Sequence, residues 1–295
     1  MPLANASVRL ALKNILFTTD FSPASETAFP YALELSRWFG AKLMIAHAVP
    51  PEPMLAVPLE PAPADLDLDW KSAEKKMGNF LAGAALHGIA HESIMRHGEL
   101  WDVISTVIAK AQIDLIVLGT HGRGGFSKLM LGSAAEQIFR RARCPVLTIG
   151  PQVGGKNFRF ESWRCILFAT DFSAGSLNAL PYALSLAEEN QACLALLHLI
   201  PLMPLQEQKP VLESARQRLQ TLIPPDAGAW CKPEYMVGFD FPAEGILRIA
   251  KEREADLIVM GVRAPATPRL TTHLPWAIAH EVVCHAHCPV LTVRG

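Results

Sequence analysis

The chain has 295 residues, enough for two ordinary domains that each bury a core. Half of the residues are hydrophobic and 19% are charged, a balance that excludes a disordered polymer. A formal net charge of -1, without a lysine or arginine run or a basic stripe laced with aromatics, speaks against nucleic acid as a partner.

In chain order, the opening MPLANASVRLALKNILFTTD shows no basic segment followed by a signal-type apolar core. No uninterrupted apolar stretch reaches about 18 residues, so no membrane helix is expected. The short apolar runs Ile15–Thr19, Leu43–Ala48, Glu92–Arg96, Leu115–Gly119 and Val146–Ile149 predict strands. The amphipathic stretches Pro23–Phe39, Trp70–His87, Leu100–Ala111 and Ser133–Arg143 predict helices. Ser22 is placed to cap the first helix and Gly40 to stop it. Residues 50–69 are proline-rich and acidic, and predict a long loop that is either a flap at the ligand end or an ordered packing arm. The six cysteines follow no small-domain disulfide pattern, which points to reduced thiols and a cytoplasmic protein.

The chain then repeats itself. ILFTTDFS from Ile15 returns as ILFATDFS from Ile166, and PYALELS from Pro30 as PYALSLA from Pro181. His47 returns as His198 at the same offset, 151 positions on. DLIVLG from Asp114 returns as DLIVMG from Asp256, and CPVLTI from Cys144 as CPVLTV from Cys288. Four blocks in one order mark a duplication. The domains predicted are residues 1–150 and 163–295, joined by a linker at 151–162. Strand–helix alternation within each copy predicts an α/β fold: two tandem doubly wound domains, each a five-stranded parallel sheet with helices on both faces, for which the order 3-2-1-4-5 is expected. Ligands then bind at strand carboxyl ends, where the order reverses between strands 1 and 4. The copies are expected to pack pseudo-symmetrically, with room for a further homodimer.

The chemistry lies after the fourth strand of the first copy, in GTHGRGGFSKLMLGSAAEQI. Gly119, Gly122 and Gly132 leave room for backbone N–H groups to approach phosphate oxygens. Ser133 opens the next helix with Glu136 three residues on, the pattern of a capping box. A helix N-terminus favours an anion, and Arg123 and Lys128 add positive charge. A flexible glycine loop with an ordinary serine cap is the plainer reading. The position between a buried strand and a helix, facing the switch point, favours phosphate binding. Asp20, at the end of the first strand, either faces a ligand or caps the first helix. Its recurrence as Asp171 favours a partly structural role.

These residues resemble the universal stress protein family: I-L-F-x-T-D-F-S, the histidine ending strand 2, D-L-I-V-L-G-T-H-G, the G-2x-G-9x-G-S loop and C-P-V-L, over nearly the whole chain and twice. The resemblance implies an adenine-nucleotide alpha hydrolase-like fold and an ATP site in the first copy. Thr18, Thr19 and Asp20 would line adenine and ribose, and Ala48 would meet adenine through its backbone. Leu118 and Gly119 would border the sugar. His121, Gly122, Arg123, Gly132, Ser133, Ala134 and Ala135 would surround the phosphates, with Mg or Mn upon them. The second copy departs from the pattern, with VRAPATPRLTTHLPWAIAH after Gly261. Ala264 replaces the second glycine, no Gly-Ser precedes the last helix, and Pro265 and Pro268 lack backbone donors.

The implied function is a stress-response sensor or switch acting on an unknown protein partner. The alternatives are a slow ATP hydrolase or nucleotidyl transferase, or a scaffold holding an apolar ligand in the second copy. No nucleophile–base set and no paired-carboxylate site are legible, and the SGG-x-D-S loop of related pyrophosphatases is missing, so at most a weak ATPase is expected. Cys284, His285, His287 and Cys288, with His273 and His280 nearby, suggest zinc by residue type. Burial explains Cys288 as well as it explains Cys144, and no second ligand pair supports a metal. His47 and His198 are expected to be satisfied structural histidines.

Overall fold

A computed structural model describes residues 10–51, 68–83, 85–120, 131–153, 162–262 and 275–294, with the side chains of residues 275 and 276 excepted. The predicted strands of the first half form as β1 (Asn14–Thr18), β2 (Lys42–Val49), β3 (His91–His97), β4 (Leu115–Gly119) and β5 (Val146–Ile149). Between them lie α1 (Pro23–Phe39), α2 (Leu68–Gly83), α3 (Leu100–Ala111) and α4 (Ser133–Arg141). Ser22 caps α1 by accepting from the Ser25 N–H, and Gly40 ends it at a φ of 60°, both as the sequence predicts. Of the acidic loop, residues 52–67 lie outside the described residues, and α2 has already begun at Leu68.

The second half repeats the plan as β6 (Cys165–Ala169), α5 (Ala174–Leu177), α6 (Leu180–Asn190), β7 (Cys193–Ile200), α7 (Leu205–Thr221), β8 (Lys232–Phe239), α8 (Pro242–Glu252), β9 (Leu257–Val262), α9 (Pro275–His285) and β10 (Val290–Arg294). Helix α1 carries Pro30 in its interior, whereas the matching stretch breaks into α5 and α6 just before Pro181. Gly175, a weaker helix former than the Ala24 it matches, precedes that break.

Each half has the predicted strand order with parallel pairing throughout, but the two sheets do not end separately. They join as one mixed sheet of ten strands in the order β3-β2-β1-β4-β5-β10-β9-β6-β7-β8. The junction is antiparallel: Val290 pairs Thr148, Leu291 pairs Leu147 and Thr292 pairs Val146. Because the residues of β10 are the repeats of those in β5, the pairing is self-complementary about Leu147 and Leu291, as across a two-fold dimer interface. Alone, β5 and β10 would each present a row of unpaired backbone groups, and each satisfies the other.

Alternate residues of the strands face opposite layers. Ile15 and Phe17 pack in a core that also takes Phe29 of α1, Met77 of α2, Ala183 of α6 and Leu219 of α7. Leu16 packs on the other face with Ile104 of α3, Ile138 of α4, Ile246 of α8 and Val283 of α9. Both layers run across the junction, so the halves share their cores. Among the described residues, no helix is long and apolar enough to cross a membrane.

Candidate functional site

The exit of β1 is a turn held by its own side chains. Phe21 stands at a φ of 59°, a conformation that bulky residues adopt at a cost of roughly 1–2 kcal/mol. The Thr19 hydroxyl accepts from the Phe21 N–H at 2.9 Å, and the Asp20 carboxylate accepts from the Ser22 N–H at 3.0 Å. Thr19 Oγ1 lies 3.0 Å from Ser25 Oγ, which ties the turn to α1. His47, on the neighbouring strand, hydrogen-bonds the Thr19 carbonyl through Nδ1 at 2.7 Å and packs its ring on Phe21 at 4.5 Å.

The second half reproduces the arrangement contact for contact. Phe172 has the same φ of 59°, and Thr170 and Asp171 accept from Phe172 and Ser173 at 2.9 Å each. His198 bonds the Thr170 carbonyl at 2.8 Å. Asp20 and His47 therefore hold the turn, whatever else they do. Replacing the buried His47 by phenylalanine removes the donor to the Thr19 carbonyl, with an expected cost of about 1–3 kcal/mol in urea denaturation. A smaller cost is expected for His198→Phe, whose ring is less buried.

Two further positions are explained only by tertiary contact. The Asp114 carboxylate accepts from the Lys13 and Asn14 N–H groups at 2.7 and 2.9 Å, and Asp256 does the same for Arg164 and Cys165 at 2.8 and 3.0 Å. The aspartate of D-L-I-V thus pins the start of the first strand of its half, a role its sequence pattern does not disclose. Gly119 is needed for close packing: a Cβ there would lie 2.3 Å from the Ala24 carbonyl oxygen at the start of α1. Gly261 has the same constraint, 2.1 Å from the Gly175 carbonyl oxygen. The phosphate argument is therefore unnecessary for Gly119.

At the exit of β4 the chain passes Thr120, whose carbonyl accepts from the Gly132 N–H at 2.6 Å. Gly132 is the cap residue of α4: it is extended, and its carbonyl accepts from the Glu136 N–H at 2.9 Å, with no side-chain cap. The expected capping box does not form: Ser133 is the first helical residue, and Glu136 pairs with Arg140 at 2.8 Å instead. Ser133 and Ala134 are exposed and Ala135 is buried. The helix start accordingly presents first-turn N–H groups that have no acceptor inside the helix.

The strand register brings these parts together. Thr18 pairs with Ala46 and Phe17 with Val117, so Thr18, Thr19 and Asp20 emerge beside Leu118 and Gly119, with Ala48 near the exit of β2. The bond from Gly132 to Thr120 draws Gly132, Ser133, Ala134 and Ala135 to the same end of the sheet. His121, Gly122 and Arg123, and with them Lys128, lie outside the described residues.

In the second half, Trp276, Ala277 and Ile278 stand where the first has Gly132, Ser133 and Ala134. Helix α9 begins at Pro275, which has no N–H to offer. Within α9, Cys284 Sγ lies 4.0 Å from both ring nitrogens of His280. Burial lowers the pKa of His280 and raises that of Cys284. Burial also pushes the Cys144 thiol up to about 11 and that of Cys288 up to about 12, as core thiols require. Among the described residues, no three histidine, cysteine or acidic side chains converge as a metal site.

The sequence profile described as Universal stress protein family matches residues 11–150 and again residues 162–294. The chain belongs to the universal stress protein family. A universal stress protein of Thermus aquaticus is 32% identical over 140 residues, which are 46% of this chain and 98% of that protein. One of Methanocaldococcus jannaschii is 30% identical over 141 residues, 46% of this chain and 81% of the relative. The crystal structure of a universal stress protein from Archaeoglobus fulgidus superposes with a TM-score of 0.70 at 18% identity, over 95% of this chain and 98% of that one. A functionally unknown protein of Pseudomonas aeruginosa superposes at 0.64 and 16% identity, over 96% and 93% of the two chains. These two likenesses bear on the fold alone. This chain is a tandem universal stress protein, with two family domains in one continuous sheet.

Proposed function

We propose that the first domain binds ATP with Mg or Mn on its phosphates, and that the chain acts as a cytoplasmic sensor or switch in the stress response. The observation that carries this reading is an asymmetry between two otherwise matched crevices. Both keep the Thr-Asp-Phe-Ser turn, the histidine and the close-packed glycine. Only the first has a helix that opens on Gly-Ser-Ala-Ala, with Ser133 and Ala134 exposed and no side chain on its cap residue Gly132, and such a start suits phosphate oxygens. The second opens on Pro-Trp-Ala-Ile.

In this reading Thr18, Thr19, Asp20, Ala48, Leu118 and Gly119 border the nucleoside. Gly132, Ser133, Ala134 and Ala135 take the phosphates together with His121, Gly122 and Arg123. The magnesium or manganese ion would neutralise phosphate charge. The switch state is retained nucleotide, and the signal is the difference between the loaded and empty first domain.

Calorimetry with ATP and Mg should give one site per chain, and chromatography of the incubated nucleotide should recover it as ATP. No saturable binding would overturn the site. Steady release of ADP or AMP would replace the switch by a slow hydrolase.

A further inference from the structure

Between the exits of β6 and β9 the second half holds a cavity of about 120 Å³. It occupies the position of the crevice proposed for ATP in the first half, since Thr170, Asp171 and Gly261 line it as the repeats of Thr19, Asp20 and Gly119. The walls have changed in one direction. Ala169, Leu197, Leu199 and Ile278 stand where the first half has Thr18, Ala46, Ala48 and Ala134. A hydroxyl is lost and three small residues become large apolar ones.

The polar groups that line the cavity are engaged within the turn. Thr170 Oγ1 lies 2.8 Å from Ser176 Oγ and accepts from the Phe172 N–H, and the Ser176 hydroxyl donates to the Ser173 carbonyl at 3.0 Å. Pro275 withholds a donor from the helix start, so an anion is disfavoured there relative to the first half.

The added bulk has not closed the space. A Cβ at Gly245 of α8 would lie 2.6 Å from Leu199 Cδ1, so Leu199 leans onto the helix where a side chain is missing. In the first half Val103 stands at the Gly245 position and Ala48 at that of Leu199, with large and small exchanged across the contact. The exchange seats Leu199 against α8 and leaves the cavity open. An apolar cavity at a sheet's switch point, with a few polar groups at one side, has the character of a small-molecule site. A dry apolar cavity of about 150 Å³ accommodates benzene, and this one is of comparable size.

We propose that the second domain binds an uncharged apolar molecule, burying a ring-sized or branched aliphatic segment among Leu197, Leu199, Ile246, Met260 and Ile278. The site does not rest on nucleotide binding in the first domain.

The test is a fluorescence titration of the full chain with the neutral probe N-phenyl-1-naphthylamine, with and without excess ATP. The expected result is saturable enhancement at one probe per chain, unchanged by ATP and by Ala48→Asp. Leu199→Asp and Ile278→Asp should each weaken it at least about tenfold, because a carboxylate would be buried without a partner. Ile278 is only partly buried, so Ile278→Asp decides the point if Leu199→Asp does not fold. Non-saturable enhancement, displacement by ATP, loss in Ala48→Asp, or full binding in the folded Ile278→Asp variant would each overturn the proposal.

Discussion

Ala134→Asp should abolish ATP binding while leaving the protein at least as stable as its parent. Ala134 is the exposed second residue of α4, so its side chain can lengthen without a clash inside the fold. A carboxylate in the first turn interacts favourably with the helix dipole, by about 0.3–1 kcal/mol. The same charge would stand beside the proposed phosphates. Two like charges at about 4 Å repel by about 4 kcal/mol at an effective dielectric constant near 20. That corresponds to nearly a thousandfold in affinity. Ala134→Asn has the same shape without the charge and should stay within about tenfold of the parent. Calorimetry gives the affinities and a thermal melt the stability. Equal affinity for the aspartate variant and the parent would remove α4 from the phosphate site.

The paired glycines should separate packing from binding. Gly119→Ala sets a Cβ 2.3 Å from the Ala24 carbonyl oxygen and 2.6 Å from its carbon, and both atoms are backbone. Gly261→Ala sets one 2.1 Å from the Gly175 carbonyl oxygen and 2.4 Å from the Ser176 Cα. No side chain can rotate away, so a helix must lift from the sheet. Each substitution should destabilise the chain by about 3 kcal/mol, at the upper end of the usual overpacking range. Only Gly119→Ala should also weaken ATP, since α1 begins beside the Asp20 turn. Urea denaturation and calorimetry on both variants test this. Parent-like stability in either would show that the close approach is not required. Equal weakening of ATP by both would place the nucleotide's dependence elsewhere.

Much of the site was legible because its parts are local words in the sequence. Thr-Asp-Phe-Ser is a turn whose bonds span two or three residues, and its second appearance marks it as scaffold. The capping box does not form for a physical reason: the Gly132 carbonyl accepts from the Glu136 N–H, which sets the cap one residue earlier and puts Ser133 inside the helix. The reason for Gly119 was also hidden. Its constraint is the backbone of α1, about 95 residues away along the chain, and nothing adjacent in sequence reports that distance.

The sequence alone determined that the chain is a duplication, that each copy alternates strand and helix, and that only the first keeps the phosphate-type glycines. Repetition, periodicity and short-range turns are written between neighbours in the chain. Only the tertiary structure decided that β5 and β10 join two sheets into one, and that the second crevice stays open with apolar walls. Edge pairing depends on which unpaired backbone rows meet. An open cavity depends on whether Leu199 falls into it or onto Gly245. Both are settled by contacts between distant segments, where a residue's type does not say what it will face.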